Sequence, residues 1–222
     1  MSYINTTTST DNGVLATNKV LRNTYMLLSA TLIFSAISAG ISMALNMPYP
    51  GLIISLVGML GLLFLVHKFA NSALGLLFVF LFTGFMGAIS GPILSMYINN
   101  LSNGPQLVMT ALGGTGVIFL SLSAYVLTTK KDFSFMGGFL MAGFVVVFIA
   151  IIANWFLQLS ALQLVISSAI ILLMSGFILW DTSNIVQGGE TNYIRATVSL
   201  YISIYNIFFS LLHLLGIFGG DD

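Results

Sequence analysis

Seven long apolar runs, separated by short polar segments, constrain the fold of this chain more than any other feature of its sequence. A helix needs about 20 apolar residues to cross the hydrocarbon core of a bilayer. Only 5% of the residues are charged and 58% are hydrophobic, so the chain lacks the charge to cover a water-facing surface. The sequence therefore predicts an all-α polytopic membrane protein, a bundle of seven transmembrane helices. The runs are Thr24–Leu45, Gly51–Val66, Ala73–Tyr97, Gln106–Thr128, Ser134–Leu157, Ala161–Trp180 and Ala196–Phe218.

Lysine and arginine occur at only four places, all of them in segments outside the apolar runs. These places are Lys19 with Arg22, Lys68, Lys130 with Lys131, and Arg195. With seven spans, all four lie on one side of the membrane, and segments rich in lysine and arginine stay in the cytoplasm. The pattern predicts a cytoplasmic N-terminus and a C-terminus on the far side of the membrane.

Polar composition separates the two ends of the chain from the membrane domain. Residues 1–18 are rich in Thr, Ser and Asn and have too little apolar content to fold alone. We expect residues 1–23 to form a flexible cytoplasmic tail and residues 24–218 to form the seven-helix transmembrane domain. Residues 219–222 should be a short tail on the far side.

Small residues in the third run predict close contacts between helices. Gly84, Gly87 and Gly91 recur at helical spacing, and such stripes let helix backbones approach closely in lipid. Pro92 follows at once and removes a backbone donor, so a bend is expected at Gly91-Pro92.

Composition also excludes several kinds of site. The formal net charge is zero, so nucleic acid is not an expected partner. There is no cysteine, which excludes disulfides and thiolate metal sites. There are only two histidines, so a histidine-rich metal site is excluded as well, and we expect neither a metal nor another cofactor.

Asp181 is the most conspicuous ionisable residue, since it directly follows the sixth apolar run. A carboxylate at or inside a membrane boundary is costly and is a functional candidate by default. Arg195, Lys68 and His67 are predicted on the same side, and any of them could be its cationic partner. The alternative is that Asp181 only ends the sixth span at the headgroups.

A polar stripe marks the seventh run and also allows two interpretations. It could be a seam between helices, in which serines bond to their own helix, or it could line a pathway or switch. Its residues share one helical face and are Ser199, Ser203, Asn206, Ser210 and His213.

Serine and histidine residues within the spans raise one enzymatic hypothesis, an intramembrane serine protease. An intramembrane serine protease would need a serine beside a histidine base, and Ser90 with His213 is the only conceivable pair. Nothing in the sequence brings the two together, so we expect no enzymatic activity.

Four stretches resemble the Bax inhibitor family of seven-span membrane proteins, and the resemblance covers nearly the whole chain after residue 18. The stretches are KVLRNTYMLLS, FTGFMGAISGPIL, SAYVLTTKKDFSFMGGFLMAG and DTSNIVQGGETNYIRATVSLYISIYNIF. The last is the longest and most specific. The resemblance implies a bundle of the Bax inhibitor type in a bacterial inner membrane, which would put the C-terminus in the periplasm.

Two functions follow from this resemblance. One bacterial branch of the family is associated with the membrane-anchored ATP-dependent protease FtsH and its HflK/HflC partners, as a substrate and negative modulator. Other members are described as pH-sensitive calcium leak channels, gated by a pair of aspartates in spans 6 and 7. Asp181 matches the first aspartate and would be the proton sensor, but Ser203 stands where the second is expected. The sequence therefore favours modulation of FtsH, with a calcium, cation or proton leak as the alternative.

The N-terminal tail supports the first of these functions independently. An ATP-driven protease needs an unstructured segment by which to begin pulling. About 18 extended residues, each about 3.3–3.6 Å long, reach several tens of ångströms. Such a tail on a tight bundle would engage the protease without rapid degradation.

Overall fold

The described part of the chain consists of seven α-helices, with no strand among its residues. A computed structural model describes residues 7–219, with side chains from residue 17 onward. All seven helices contain a segment long and apolar enough to cross a membrane, which confirms the predicted fold class. The helices are α1 (Thr7–Ala44), α2 (Leu52–Phe69), α3 (Ala73–Asn100), α4 (Gly104–Thr129), α5 (Met136–Leu157), α6 (Ser160–Val186) and α7 (Tyr193–Gly219).

The helix ends differ from the sequence prediction at several places, most of all at the start of α1 and the end of α6. α1 begins at Thr7, so from that residue on the tail expected over residues 1–23 is helical, and residues 1–6 lie outside the described part. Val20 and Leu21 pack against the core, which explains why the helix extends before Thr24. α2 continues past Val66 to Phe69.

A further difference concerns the end of α6. The helix continues beyond Trp180 to Val186. The residues added to it include buried Thr182, Ser183 and Ile185, because other elements cover this end of the helix. A span predicted from hydropathy ends where the polar residues begin, whereas α6 continues as long as other elements pack against it.

α7 lies in the middle of the bundle. It packs against every other helix except α5, and it supplies large side chains that are almost fully buried, such as Tyr201 and Leu200. α2 and α5 lie at the periphery and expose most of their apolar side chains. Apolar residues on an outer surface are expected where lipid is the solvent.

Three loops, each with a lysine or arginine in it or in the adjoining helix end, meet at one end of the bundle. The Asn192 side-chain amide donates to the Ala70 carbonyl at 2.9 Å, which joins the α6–α7 loop to the α2–α3 loop. The Gln187 amide donates to the Lys130 carbonyl at 2.9 Å, which joins the end of α6 to the α4–α5 loop. We call this end, with Lys68, Lys130, Lys131 and Arg195, the cationic end.

Glycines bring α3 into direct contact with α1. A methyl group at Gly87 would collide with the Ser35 backbone, and one at Gly91 would lie 2.6 Å from the Ser42 side chain. At Gly84 the neighbour is the ring of Phe34, 2.7 Å from the position of an added methyl. The three glycines therefore set the distance between these two helices.

Serine hydroxyls of α1 hydrogen-bond across this contact. Ser38 donates to the Gly84 carbonyl at 2.7 Å, and Ser42 donates to the Ala88 carbonyl at 2.8 Å. In a regular helix the Ala88 carbonyl would accept from the backbone N–H four residues later, but Pro92 has none. The Ser42 hydroxyl thus replaces the bond that Pro92 removes, and α3 is unbroken through the proline.

Candidate functional site

Asp181 lies inside α6, more than one turn before the end of the helix. Only 7% of its surface is exposed, so it is buried within the protein, and α6 continues past it to Val186. Its Oδ2 accepts a hydrogen bond from the Ser199 hydroxyl of α7 at 2.7 Å. The extended α6 brings Asp181 to this position, since the helix does not stop at Trp180.

None of the three cations expected near Asp181 pairs with it. The only ion pair within the described residues joins Arg195 to Glu190, with 3.2 Å between Nη2 and Oε1. Lys68 lies over the rings of neighbouring phenylalanines, and the His67 ring bonds to the carbonyl of Leu63 in its own helix. Asp181 thus has no cationic partner among the three, and Arg195 at the start of α7 pairs with an acid of the preceding loop.

The polar stripe of α7 makes its interhelix contacts at its two ends. Ser199 bonds to Asp181, and the His213 ring nitrogen Nδ1 lies 2.9 Å from the Ser167 hydroxyl. Both partners belong to α6. Asn206 between them donates to the Ile202 carbonyl of its own helix at 2.8 Å, so its amide nitrogen is satisfied without a neighbouring helix.

Ser203 and Ser210 complete the stripe as buried residues. Ser203 is 2% exposed and Ser210 is 6% exposed. Ser203 occupies the position at which the resemblance places a second acid. The partner of Asp181 is Ser199, which lies four residues before Ser203 on the same face of α7. Asp181 therefore bonds to a hydroxyl group and does not share a proton with a second carboxylate.

The serine and histidine of the protease hypothesis have separate partners. The Ser90 hydroxyl donates to the Met86 carbonyl at 2.7 Å and hydrogen-bonds the Tyr205 hydroxyl at 3.1 Å. His213 bonds to Ser167 instead. Ser90 and His213 therefore do not form the pair of nucleophile and base that the hypothesis requires.

Two tyrosines of α7 are polar residues of the interior that the sequence interpretation missed. Tyr201 hydrogen-bonds the Ser35 hydroxyl of α1 at 2.7 Å, and Tyr205 bonds Ser90 of α3. Their rings are stacked with centroids 6.2 Å apart. The signal was their spacing of four residues, which places both on one face of the helix.

The described residues contain no group of three or more His, Asp or Glu side chains that could hold a metal ion. Calcium takes about 6–8 oxygen ligands in proteins, usually with carboxylates among them. Asp181 is the only acid within the spans from Thr17 to Gly219. The site thus consists of one buried carboxylate, one serine hydroxyl and the apolar walls of α6 and α7.

Comparison with known proteins relates this arrangement to a group of bacterial membrane proteins. A protein of Escherichia coli strain K12 named "Modulator of FtsH protease YccA" is 59% identical over 208 residues, which cover 94% of each chain. An "Uncharacterized membrane protein" of Vibrio cholerae is 50% identical over 218 residues, covering 98% of this chain and 97% of that one. In Escherichia coli O6:H1 a protein named "Inner membrane protein YccA" is likewise 59% identical.

The family comparison agrees with these relatives. The family described as "Bax1-I: Inhibitor of apoptosis-promoting Bax1" matches residues 17–220, which include every apolar span. With this match and the identity to the YccA proteins, the chain belongs to the Bax inhibitor family of multi-pass membrane proteins.

Proposed function

We propose that this protein binds the membrane ATP-dependent protease FtsH and negatively modulates it through contact between the two proteins. The observation that carries the proposal is the 59% identity, over 94% of both chains, to a protein whose name states that it is a modulator of FtsH protease. Identity of this extent includes all seven helices. HflK and HflC, as partners of that protease, belong to the same proposed assembly.

The packing of α1 against α3 fits a protein that resists extraction from the membrane. The glycine contacts and the bonds from Ser38 and Ser42 tie the first helix to the third. A protease that pulls on the N-terminus must break these contacts before it can unfold the rest. Slow unfolding of α1 would keep the protease occupied.

α1 offers a point of engagement beyond the membrane. Its apolar run begins at Thr24, after Lys19 and Arg22, while the helix begins at Thr7. Residues 7–23 therefore extend roughly 25 Å before the apolar run, at the helical rise of about 1.5 Å per residue. The proposed handle is this segment together with the residues before it, and the protease must first unwind the helical part.

We place the cationic end of the bundle in the cytoplasm and the C-terminus in the periplasm of a bacterial inner membrane. The support is the positive-inside rule applied to the loops with Lys68, Lys130, Lys131 and Arg195. In this orientation the N-terminal end of α1 is available to a protease acting from the cytoplasm. The proposed role needs no catalysis by the protein itself.

Co-purification tests the proposal directly. The tagged protein, extracted in mild detergent from cells that contain FtsH, should retain FtsH. Its overproduction should slow the decay of a second membrane substrate of the protease. Binding without slower decay would mean that the protein is a substrate of FtsH but does not modulate it. The absence of binding would contradict the proposal.

A second function, a proton-sensitive calcium or cation leak, is favoured by one observation, the burial of Asp181 within a span. An intramembrane acid is a functional candidate by default. We rank this function second because the partner of Asp181 is a serine and no second acid lies in the described spans. Flux measurements separate the two functions.

A further inference from the structure

A large apolar cavity opens in the half of the bundle away from the cationic end. Its volume is about 460 Å³, within the range of about 300–1,000 Å³ that is usual for ligand sites. Its walls come from the end of α1, the start of α4 and the middle of α3 and α7. It contains neither Asp181 nor any residue of α6, so it is distinct from the site described above.

The cavity opens sideways, between α1 and α4. The backbones of these two helices stay apart, although both helices pack against α3 and α7. The Tyr25 ring of α1 meets the Phe119 ring of α4, with 6.0 Å between the centroids. Gly40 of α1 and Gly116 of α4 line the opening, and a methyl group at either would meet nothing within 4 Å. Unlike the glycines of α3, these two do not serve a close contact between helices.

The mouth is continuous with the lipid-facing surface of the bundle. Ile37 and Ile41 of α1 and Leu112 and Val117 of α4 are half exposed or more. They belong to segments that span the membrane, so the medium outside the mouth is hydrocarbon. A lipid chain therefore reaches the cavity without crossing a polar region.

The chemistry of the walls disfavours water and ions. The described residues that line the cavity include no charged side chain. The hydroxyls among them are already bonded, Tyr201 to Ser35 at 2.7 Å and Thr115 to the Ala111 carbonyl at 2.7 Å. A buried water needs about 2–4 polar partners, and this cavity offers few that are free.

An empty space of this size would leave its walls without partners for dispersion contacts. Bilayer lipids supply flexible apolar chains at high concentration on the open side. We propose that the cavity binds an acyl chain of a membrane phospholipid, which enters between α1 and α4 and lies against Tyr205 and Phe208 of α7.

Photolabelling from within the bilayer tests this proposal. The purified protein is placed in vesicles of phosphatidylcholine that carries a photoactivatable diazirine on one acyl chain, and labelled peptides are mapped after irradiation. Lipid reaches the cavity-lining residues of α7, which lie between residues 201 and 209, through the cavity. We expect labelling of this segment in addition to the outer surfaces of α2 and α5.

Filling the cavity should remove that labelling. Gly116→Leu and, independently, Gly40→Leu place a side chain in open space at the mouth, and each should lower labelling of residues 201–209 several-fold. Gly113→Leu is the matched control, since Gly113 also has nothing within 4 Å and lies on α4 but outside the cavity. Labelling of α2 and α5 should stay unchanged in all three variants.

Any of four results would overturn the proposal. One is the absence of label on residues 201–209 in the unaltered protein. Another is equal labelling of these residues in both filled variants and in Gly113→Leu. The third is labelling by a diazirine fatty acid but not by the phospholipid, and the fourth is cross-links from this segment to another polypeptide in native membranes.

Discussion

The Ser199 hydroxyl donates a 2.7 Å hydrogen bond to Oδ2 of Asp181, so α7 holds the acid of α6 inside the bundle. The two residues lie on consecutive antiparallel helices near the cationic end. A buried acceptor that loses its donor bears the cost of its own desolvation, about 1–3 kcal/mol. The bond is thus expected to contribute to stability whatever the protein binds.

Replacing Ser199 with alanine should therefore lower the free energy of unfolding by roughly 1–3 kcal/mol. The measurement is unfolding in mixed micelles with increasing denaturing detergent. A double-mutant cycle with Asp181→Ala should give a coupling of about 0.5–3 kcal/mol, as expected for residues in contact.

Ser168→Ala is the control for this pair, because Ser168 is exposed on α6 and bonds only to the Leu164 carbonyl of its own helix. It should change stability by no more than about 0.5 kcal/mol. If Ser199→Ala were as neutral as this control, the bond to Asp181 would have no role in stability.

Contact between α1 and α3 gives a second prediction. Gly87→Ala should destabilise the bundle by about 1–3 kcal/mol, since the added methyl would meet the Ser35 backbone, which cannot move alone. Gly61→Ala on α2 meets nothing within 4 Å and should be neutral or stabilising by up to about 1 kcal/mol. Thermal unfolding of both variants in one detergent is the measurement, and equal melting temperatures would argue against a tight contact.

How far the sequence alone leads can be seen from α6 and α7. The seven spans follow from their apolar runs, because lipid requires every spanning helix to be apolar along its length. The same rule placed the end of α6 too early, since Asp181 and its neighbours Thr182 and Ser183 are buried by other parts of the protein. Hydropathy indicates which residues suit a lipid environment, but it does not show which residues are covered by other helices.

Side-chain partners depend on how helices are placed against one another, which no single sequence pattern contains. Asp181 and the polar stripe were identified by residue type and spacing, yet the bond to Ser199 depends on the alignment of α6 with α7. The bond from Tyr201 to Ser35 depends likewise on the distance between α7 and α1. The cavity results from a gap between α1 and α4, and the sequence shows only the small residues at its edge.

Pro92 and Ser42 supply a third prediction. Ser42→Ala should lower stability by about 1–3 kcal/mol, because the Ala88 carbonyl then loses the donor that replaces the missing N–H of Pro92. In a Pro92→Ala background the backbone N–H returns, so the same Ser42→Ala change should cost less. Chemical unfolding of the two single variants and the double variant measures this difference.

Ser38→Ala serves as the comparison for Ser42→Ala. Ser38 also donates across the contact, to the Gly84 carbonyl. This carbonyl has a helical donor as well, because Ala88, four residues later in α3, has a backbone N–H. Replacement of Ser38 should be milder and independent of residue 92. Equal costs for both serines in both backgrounds would contradict the role assigned to the proline.

Calcium flux gives a fourth prediction and separates the two proposed functions. In liposomes loaded with a calcium-sensitive dye, the unaltered protein and Asp181→Asn should behave alike, without calcium entry at any pH tested. The physical reason is that one carboxylate bonded to Ser199 supplies too few of the oxygen ligands that calcium requires. Entry of calcium into liposomes with the unaltered protein, abolished by Asp181→Asn, would establish the leak and displace our ranking.

The proposed handle gives the last prediction. Deleting residues 2–12 should leave membrane assembly intact, because the apolar run of α1 begins only at Thr24. It should lengthen the lifetime of the protein in cells that contain FtsH, since the protease loses the segment by which it starts pulling. Pulse-chase measurement gives the half-life, and deletion of residues 220–222, at the end we place in the periplasm, is the control that should not change it. An unchanged half-life after the N-terminal deletion, in a protein that still assembles, would show that FtsH does not engage this segment.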